Sequence, residues 1–480
     1  MFENVTGNYA FLTSRNGAEF PTTVCEGLQQ FLDMYMDIDD IKITPERLER
    51  AKQLAKYHLG SRDDLNVIMW DAIINDYNGI PPIKIKAVPE GTEVPMNNIM
   101  MSVELSDCAI GDARVVGIVS HVETILTNTF TSNMQATKSK YMKRMLIQAA
   151  SISCEAYNHI LYQLHDFGMR SAKTPEVAGW GGTGQLASFL GTDTVPAMED
   201  IIFHYNANPE TAGKSVFATE HNQMMYKGVG GFTSEGVPFG EYAVIQQIID
   251  QRPKDSIISC VSDTFNIYET IKVVGSYFKD QIMERTGVWV SRPDSVTPDH
   301  PTPAAMTLWI LEQLWEDFGG TVNSKGKCYR VLDPHVRVIY GDSLDLVSGQ
   351  EILDVIMEAG FASENVVLGC GSWLSDKHNR DTQCNAYKSS CMIIDGEWTG
   401  IQKNPIGTTF KKSKKGRMKL TGTTTETFKT LTEYDEGYDE AECFMDTIWD
   451  WGKFVTRYTW DEVRENNDFD PNVLAKRMGL

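Results

Sequence analysis

No apolar run in this 480-residue chain approaches the roughly 20 residues that a membrane-spanning helix needs. Met1-Phe2-Glu3-Asn4 lacks the basic segment and apolar core of a secretory signal, so the expected compartment is cytoplasmic. Paired cysteines are missing too. The nine stand at positions 25, 108, 154, 260, 328, 370, 384, 391 and 443. An odd total with no Cys-x-x-Cys spacing argues against a disulfide framework and a zinc cluster. Positive charge is scarce: 44 Lys and Arg face 65 Asp and Glu, for a net charge of −21. The chain therefore lacks the basic footprint that a nucleic-acid backbone requires. There is no P-loop lysine motif and no Gly-x-Ser-x-Gly elbow. Nor is there a repeat of about 20–50 residues.

What is present is 42% hydrophobic and 23% charged residues, the balance of a soluble globular protein. The length predicts two or three domains. Residues 1–158 read as an N-terminal α+β domain. Val24, Leu28, Phe31, Leu32 and Tyr35 recur at helical spacing. Thr44-Pro45-Glu46 supplies an N-cap, a proline at the first helical position and an early acid. Pro82 to Val88 alternates, Pro89-Glu90-Gly91 turns, and Ile99 to Glu104 is a second apolar-rich run. That pattern predicts antiparallel sheet.

Residues 159–390 follow a different rhythm. Short apolar runs end in chemically loaded turns, and helical stretches at 264–275, 302–318 and 346–359 separate several of them. One run precedes Asp166. Ala187–Leu190 ends in Gly191-Thr192-Asp193, Val216–Ala218 leads to Glu220-His221, and Ile257–Val261 leads to Ser262-Asp263. Val288–Val290 ends in Ser291-Arg292-Pro293-Asp294, Val336–Tyr340 in Gly341-Asp342, and Val366–Leu368 in Gly369-Cys370-Gly371-Ser372. Seven strands whose C-terminal ends are all polar predict an α/β barrel, since an open sheet loads mainly its switch point. Residues 391–480 are expected to pack back on the N-terminal domain.

Gly179-Trp180-Gly181-Gly182-Thr183-Gly184 matches a dinucleotide fingerprint in letters, but the polar stretch before it contains Pro175 and offers no buried strand. Asp263, Asp294 and Asp342 each follow a strand, and singly each reads as a helix cap or turn former. Together with Arg170, Arg292, Arg380 and Lys388 they look like a polyanion site, with carboxylates for Mg²⁺ or ribose hydroxyls and arginines for phosphates. Gly341, Gly369 and Gly371 would let backbone N–H groups approach a phosphate. His221 beside Glu220 reads either as a structural histidine or as a nucleophile or acid/base group oriented by a carboxylate. Phe167 is a core aromatic or a stacking platform. The basic run 411–417 is a solvated loop or a phosphate ligand.

In order along the chain, these pieces resemble the nicotinate/nicotinamide phosphoribosyltransferase family, on its nicotinamide-using side. The matching stretches are Lys84 to Gly91, Asp166-Phe167-Gly168-x-Arg170, Gly191-Thr192-Asp193-Thr194-Val195 and Ser215-Val216-x-Ala218-x-Glu220-His221. They continue with Val261-Ser262-Asp263, Arg292-Pro293-Asp294-Ser295, Gly341-Asp342, Arg380-Asp381, Lys388 and Ser413 to Arg417. The resemblance implies transfer of phosphoribosyl from phosphoribosyl pyrophosphate to nicotinamide, giving nicotinamide mononucleotide and pyrophosphate in NAD salvage. It implies that Phe167 stacks on the pyridine ring and that Asp193 accepts a hydrogen bond from the carboxamide. It places Asp263 and Asp294 near the ribose and a Mg²⁺-bound pyrophosphate, with Arg292, Gly341, Asp342 and Gly371 in the nucleotide-binding part and Arg170, Ser215, Ser259 and Ser372 as further substrate-binding residues. His221, with Glu220 beside it, would be phosphorylated when ATP is consumed as co-substrate. A homodimer is implied, in which Arg15, Arg380, Lys388 and Lys411 reach phosphates across the interface.

Three places depart from the family pattern. Val296 replaces a glycine, Gly371-Ser372-Trp373 replaces a glycine run, and Ala386 replaces a hydroxyl residue. An Asp-Ser-Tyr-Lys segment found in relatives is expected before Tyr9 and is not seen there. The same chemistry on nicotinate and a catalytically silent nucleotide-binding homologue stay open as alternatives.

Overall fold

The computed structural model describes residues 4–36, 41–61, 65–406 and 413–480. Its contacts divide the chain into two compact units. The first is Met1–Thr137, Asp200–Ala207 and His378–Asn467, and the second is Lys138–Glu199, Asn208–Lys377 and Asp468–Leu480. These limits differ from the expected ones at 158/159 and 390/391, and the reasons are local to each unit.

The first unit is built on a seven-stranded antiparallel sheet. Its strands lie in the order Glu397–Gly400, Ala386–Ile394, Val5–Thr13, Ile99–Leu105, Ile83–Ala87, Asp446–Asp450 and Lys453–Phe454. Ile83–Ala87 (IKIKA) alternates between buried and half-buried residues, so one face meets the core. Val5–Thr13 is buried almost throughout, as a central strand covered on both faces should be. Ala386–Ile394 pairs with Val5–Thr13 along nearly its whole length. That ladder draws the stretch from residue 378 into this unit. The helix at Pro45–His58 opens as its sequence dictates, with Thr44 accepting from the Arg47 N–H.

The second unit is a ring of seven parallel strands taken in sequence order: β1 (Leu164–Asp166), β2 (Gly191–Thr192), β3 (Phe217–Ala218), β4 (Ile258–Val261), β5 (Trp289–Arg292), β6 (Val336–Tyr340) and β7 (Val366–Cys370). β7 pairs back with β1. The remaining gap is bridged by Lys214, which stands three residues before β3. The Thr192 N–H donates to Lys214 O at 2.9 Å and the Lys214 N–H donates to Leu190 O at 2.7 Å. Helices Ile267–Gly275, Pro303–Phe318 and Leu346–Glu358 cover the ring where the apolar periodicity expects them. The expected strand at 187–190 is instead a turn, and the true strand begins at Gly191. The Ala187 and Phe189 N–H groups still donate to Thr183 O and Gln185 O, so the preceding helix has not yet unwound.

The glycines of the false fingerprint lie inside that preceding helix, Pro175–Leu186, and are buried. A Cβ at Gly182 would stand 2.6 Å from Ala197 Cβ, so glycine there serves close packing. Three lysines of helix Phe130–Ser153 are fully buried in this unit. Lys143 donates to Ser188 O and Phe469 O, and Lys140 faces the Asp468 carboxylate at 3.3 Å. Leu474 and Ala475 join the barrel's apolar core. These contacts assign Asp468–Leu480 to the barrel unit, correcting the expectation that all of 391–480 folds on the N-terminal domain. Among the described residues, no helix is long and apolar enough to cross a membrane.

Candidate active site

Parallel closure gathers the C-terminal strand ends at one mouth, where two cavities meet. The outer one, about 320 Å³, is lined by Phe167, Met169, Arg170, Asp193, Glu220, Arg292, Asp294, Gly341 and Asp342. The inner one, about 400 Å³, is the barrel lumen. Val216, Ala218, Val290 and Ile339 make it apolar, and His165, Ser215 and Ser259 give it polar edges. Phe167, Asp193 and Arg292 line both.

Phe167 is set by its neighbours on both sides. Its N–H donates to Cys370 O at 2.9 Å, which extends the β1–β7 pairing by one residue. Its ring lies against the Cα atoms of two strand ends. A Cβ at Gly369 would fall 2.1 Å from Phe167 Cε2, and one at Gly341 would fall 2.7 Å from it. These two glycines, expected to admit a phosphate, are the seat of the ring. A Cβ at Gly371 would meet only ordinary contacts. Gly371 and Ser372 begin the short helix Ser372–Ser375 and line neither cavity. The bulk of Trp373 is taken up by buried Lys138, whose Nζ donates to Trp373 O and stands 4.9 Å from the centre of its ring.

Asp193 is placed by its own N–H, which donates to Asp166 O at 3.0 Å. Its carboxylate accepts from the Ser215 hydroxyl. His165 was not singled out in the sequence, although its position two residues before Phe167 puts it on the same face of β1. Burial pushes its imidazole below the ordinary histidine range against the opposing pull of Asp193, so the ring facing the lumen is neutral.

A second group surrounds His221. Buried Arg292 donates through Nη2 to Thr219 O and, at 3.2 Å, to Glu220 Oε1. Glu220 is the N-cap of the helix His221–Met225, its N–H donating to Gln223 Oε1 at 3.0 Å. Its carboxylate is engaged by Arg292 rather than by His221. Thr264, missed in the sequence, holds His221 Nδ1 at 3.0 Å through its hydroxyl. The opposite nitrogen, Nε2, faces Asp294 Oδ2 at 3.5 Å and Asp263 Oδ1 at 3.9 Å. The two acids are tied together by the Asp294 N–H, which donates to Asp263 Oδ2 at 3.1 Å. Burial raises the Asp294 pKa above the ordinary aspartate value; Arg292 opposes that shift and Asp263 adds to it. Asp263 Oδ1 is buried with no hydrogen-bond partner among the described residues. An unsatisfied carboxylate oxygen next to a second carboxylate suits a hard divalent cation that takes its other ligands from water or phosphate.

The remaining expected phosphate ligands belong to the other unit. Burial lowers the Lys388 pKa; Glu123 opposes this, and Arg15, Lys403 and Arg380 reinforce it. The charges of Arg15, Lys403 and Arg380 are thus all felt at Lys388, and Lys403 was not foreseen. Arg15 also donates to Cys384 O at 3.3 Å and Arg380 pairs with Asp381 at 2.6 Å. Lys411 lies outside the described residues.

A profile of the nicotinate phosphoribosyltransferase (NAPRTase) family matches residues 162–438, and one of the nicotinamide phosphoribosyltransferase N-terminal domain matches residues 2–85. The nicotinamide phosphoribosyltransferase of Xanthomonas campestris pv. campestris is 32% identical over 468 residues, which is 96% of this chain and 93% of that one. The enzyme of the same name from Acinetobacter baylyi is 31% identical over 407 residues, 81% of this chain and 76% of its own. Among solved structures, nicotinate-nucleotide pyrophosphorylase from Pyrococcus furiosus superposes with a TM-score of 0.57 at 13% identity, covering 100% of this chain and 91% of that one. Human nicotinic acid phosphoribosyltransferase gives 0.53 at 12% identity, with 98% and 90% covered. At those identities the two structures bear on the fold alone.

Proposed function

The chain belongs to the nicotinate phosphoribosyltransferase family, and from that premise we propose that it moves phosphoribosyl from phosphoribosyl pyrophosphate to nicotinamide. The observation that carries this reading is the pairing of a glycine-seated Phe167 ring with the Asp193 carboxylate, both lining the inner and outer cavities. A flat pyridine ring stacks on Phe167. Its carboxamide N–H donates to Asp193, whereas the carboxylate of nicotinate would meet a like charge there.

The pyridine nitrogen attacks C1 of the ribose. The C1–N bond forms as the C1–O bond to pyrophosphate breaks, and the electron pair leaves with pyrophosphate. Asp263 and Asp294 stand where positive charge develops on the ribose. They would also hold Mg²⁺, which when bound neutralises charge on the leaving pyrophosphate. Arg292 is fixed at both Nη2 partners and is ready to hold the nucleotide's polar groups. ATP enters as a co-substrate that phosphorylates His221, and its hydrolysis drives the reaction towards nicotinamide mononucleotide for NAD biosynthesis. In a homodimer, Arg15, Arg380, Lys388 and Lys411 supply phosphate contacts to the partner's site.

The deciding assay offers phosphoribosyl pyrophosphate and Mg²⁺ with nicotinamide or nicotinate, with and without ATP, to the wild type and to His221→Ala. Nicotinamide mononucleotide formed preferentially, and boosted by ATP only when His221 is present, is the expected result. Preference for nicotinate would reassign the substrate. No product from a folded protein would make it a binding homologue.

A further inference from the structure

We propose that Thr264 is a positioning residue for His221, holding Nδ1 so that Nε2 is the atom that accepts a phosphoryl group. The inference rests on the reading of His221 as the phosphorylated histidine and adds what makes that histidine competent. The sequence offers Glu220 as an orienting group, but the Glu220 carboxylate accepts from Arg292 instead. The imidazole is instead gripped from β4. Thr264 and Asp263 are adjacent residues just past its end, and they meet opposite edges of the ring, at 3.0 Å from Nδ1 and 3.9 Å from Nε2. Asp294, from the turn after β5, stands 3.5 Å from Nε2. The His221 side chain remains 40% exposed, so the ring so held is open to a ligand.

A hydroxyl suits Nδ1 in both tautomers without moving, because the same oxygen donates and accepts. When Nε2–H faces the two carboxylates, Thr264 O–H donates to Nδ1. When Nε2 carries the lone pair needed for attack, Nδ1–H donates to Thr264 Oγ1. A carboxylate in its place would favour the second state alone, and an apolar side chain would support neither. In the transfer, the bond from Nε2 to the γ-phosphorus of a nucleoside triphosphate forms while the bond from that phosphorus to the β,γ-bridging oxygen breaks. The electron pair leaves on the nucleoside diphosphate. Nδ1 keeps its proton, directed at Thr264 Oγ1, and the positive charge of the N-phosphorylated ring is stabilised there.

The test is rapid-quench labelling with γ-³²P-ATP and Mg²⁺, counting acid-labile, alkali-stable phosphate on the wild type, Thr264→Ser, Thr264→Val and His221→Ala, with a thermal melt of each. Thr264→Val should label about tenfold or more slowly, since misplacing a reacting atom by about 1 Å can cost a hundredfold. Its half-saturating ATP concentration and melting midpoint should stay near wild type, and Thr264→Ser should restore most of the rate. Labelling of Thr264→Val at the wild-type rate would overturn the proposal. So would Thr264→Ser as slow as Thr264→Val, which would make the methyl group the important part. A wild type that does not label, or His221→Ala labelling equally, would sink the phosphohistidine reading itself, and this inference with it.

Discussion

At the scale of single residues, two local contacts place the side chains of the site. Phe167 needs bare Cα atoms beneath its ring, and Asp193 needs its N–H tied to Asp166. On the proposed function, Asp193 is the residue that discriminates between the two pyridines. In Asp193→Asn the like charge facing nicotinate is gone while a carbonyl acceptor remains for the carboxamide. Like-charge contact at a binding surface costs several kcal/mol. Competition between the two pyridines should therefore show the nicotinate-to-nicotinamide ratio of kcat/KM rising by about tenfold or more. An unchanged ratio would remove Asp193 from the role of discriminator. Gly369→Ala tests the ring's seat. The added methyl would lie 2.1 Å from Phe167 Cε2, and overpacking of this kind costs about 1–3 kcal/mol. Relief by tilting the ring should appear as a raised KM for nicotinamide with a smaller change in KM for phosphoribosyl pyrophosphate. Equal changes in both would mean that the ring is not the pyridine's platform.

At the scale of elements, the strand ends were legible because each carries its chemistry within one to three residues of an apolar run. Period-two alternation then fixes which side chains face inward. Thr264 was not legible, because a threonine after a loaded aspartate reads as a helix start and only the folded turn shows what its hydroxyl touches. The buried lysines of Phe130–Ser153 escaped for a similar reason: Lys138, Lys140 and Lys143 look like a solvated helix face, and only burial reveals them as ties. The glycines at 179–184, by contrast, were legible as no phosphate loop, because the polar stretch with Pro175 leaves no strand before them, and they lie inside the helix Pro175–Leu186. The tie between Lys140 and Asp468 also explains why the chain's last residues belong to the barrel. Asp468 holds a left-handed backbone with φ 51°, which Asn tolerates far better than Ala. Breaking a buried ion pair by removing one partner costs about 3–5 kcal/mol. Asp468→Ala should thus lower the unfolding free energy measured in urea by that order, and Asp468→Asn by distinctly less. Equal and small effects would show that the tie does not stabilise the barrel.

At the scale of the whole molecule, a net charge of −21 coexists with the positive charges of Arg15, Lys403 and Arg380 felt at Lys388. The sequence showed the first at once, and Arg15, Arg380 and Lys388 only through motif matching, because they come from separate stretches; Lys403 it did not show. Acid sensitivity is also a property of the assembled barrel. His159, in the short helical turn before β1, is mostly buried beside Arg337 of β6, and its Nε2 has no hydrogen-bond partner among the described residues. Burial first, and the Arg337 charge second, lower its pKa from 6.5 to about 4. Between those values the unfolded chain holds a proton at this residue that the folded chain does not. Stability from this source is therefore complete above pH 6.5 and is lost as pH falls through 4. The full shift corresponds to about 3 kcal/mol. His159→Phe removes the titration while keeping a flat ring, and it leaves no buried nitrogen without a partner. Urea unfolding of both proteins at several pH values from neutral to acid isolates this histidine, since every other titrating group is common to both. The variant should gain on the wild type by up to about 3 kcal/mol as the medium is acidified. Parallel pH profiles would show that His159 is as easily protonated folded as unfolded.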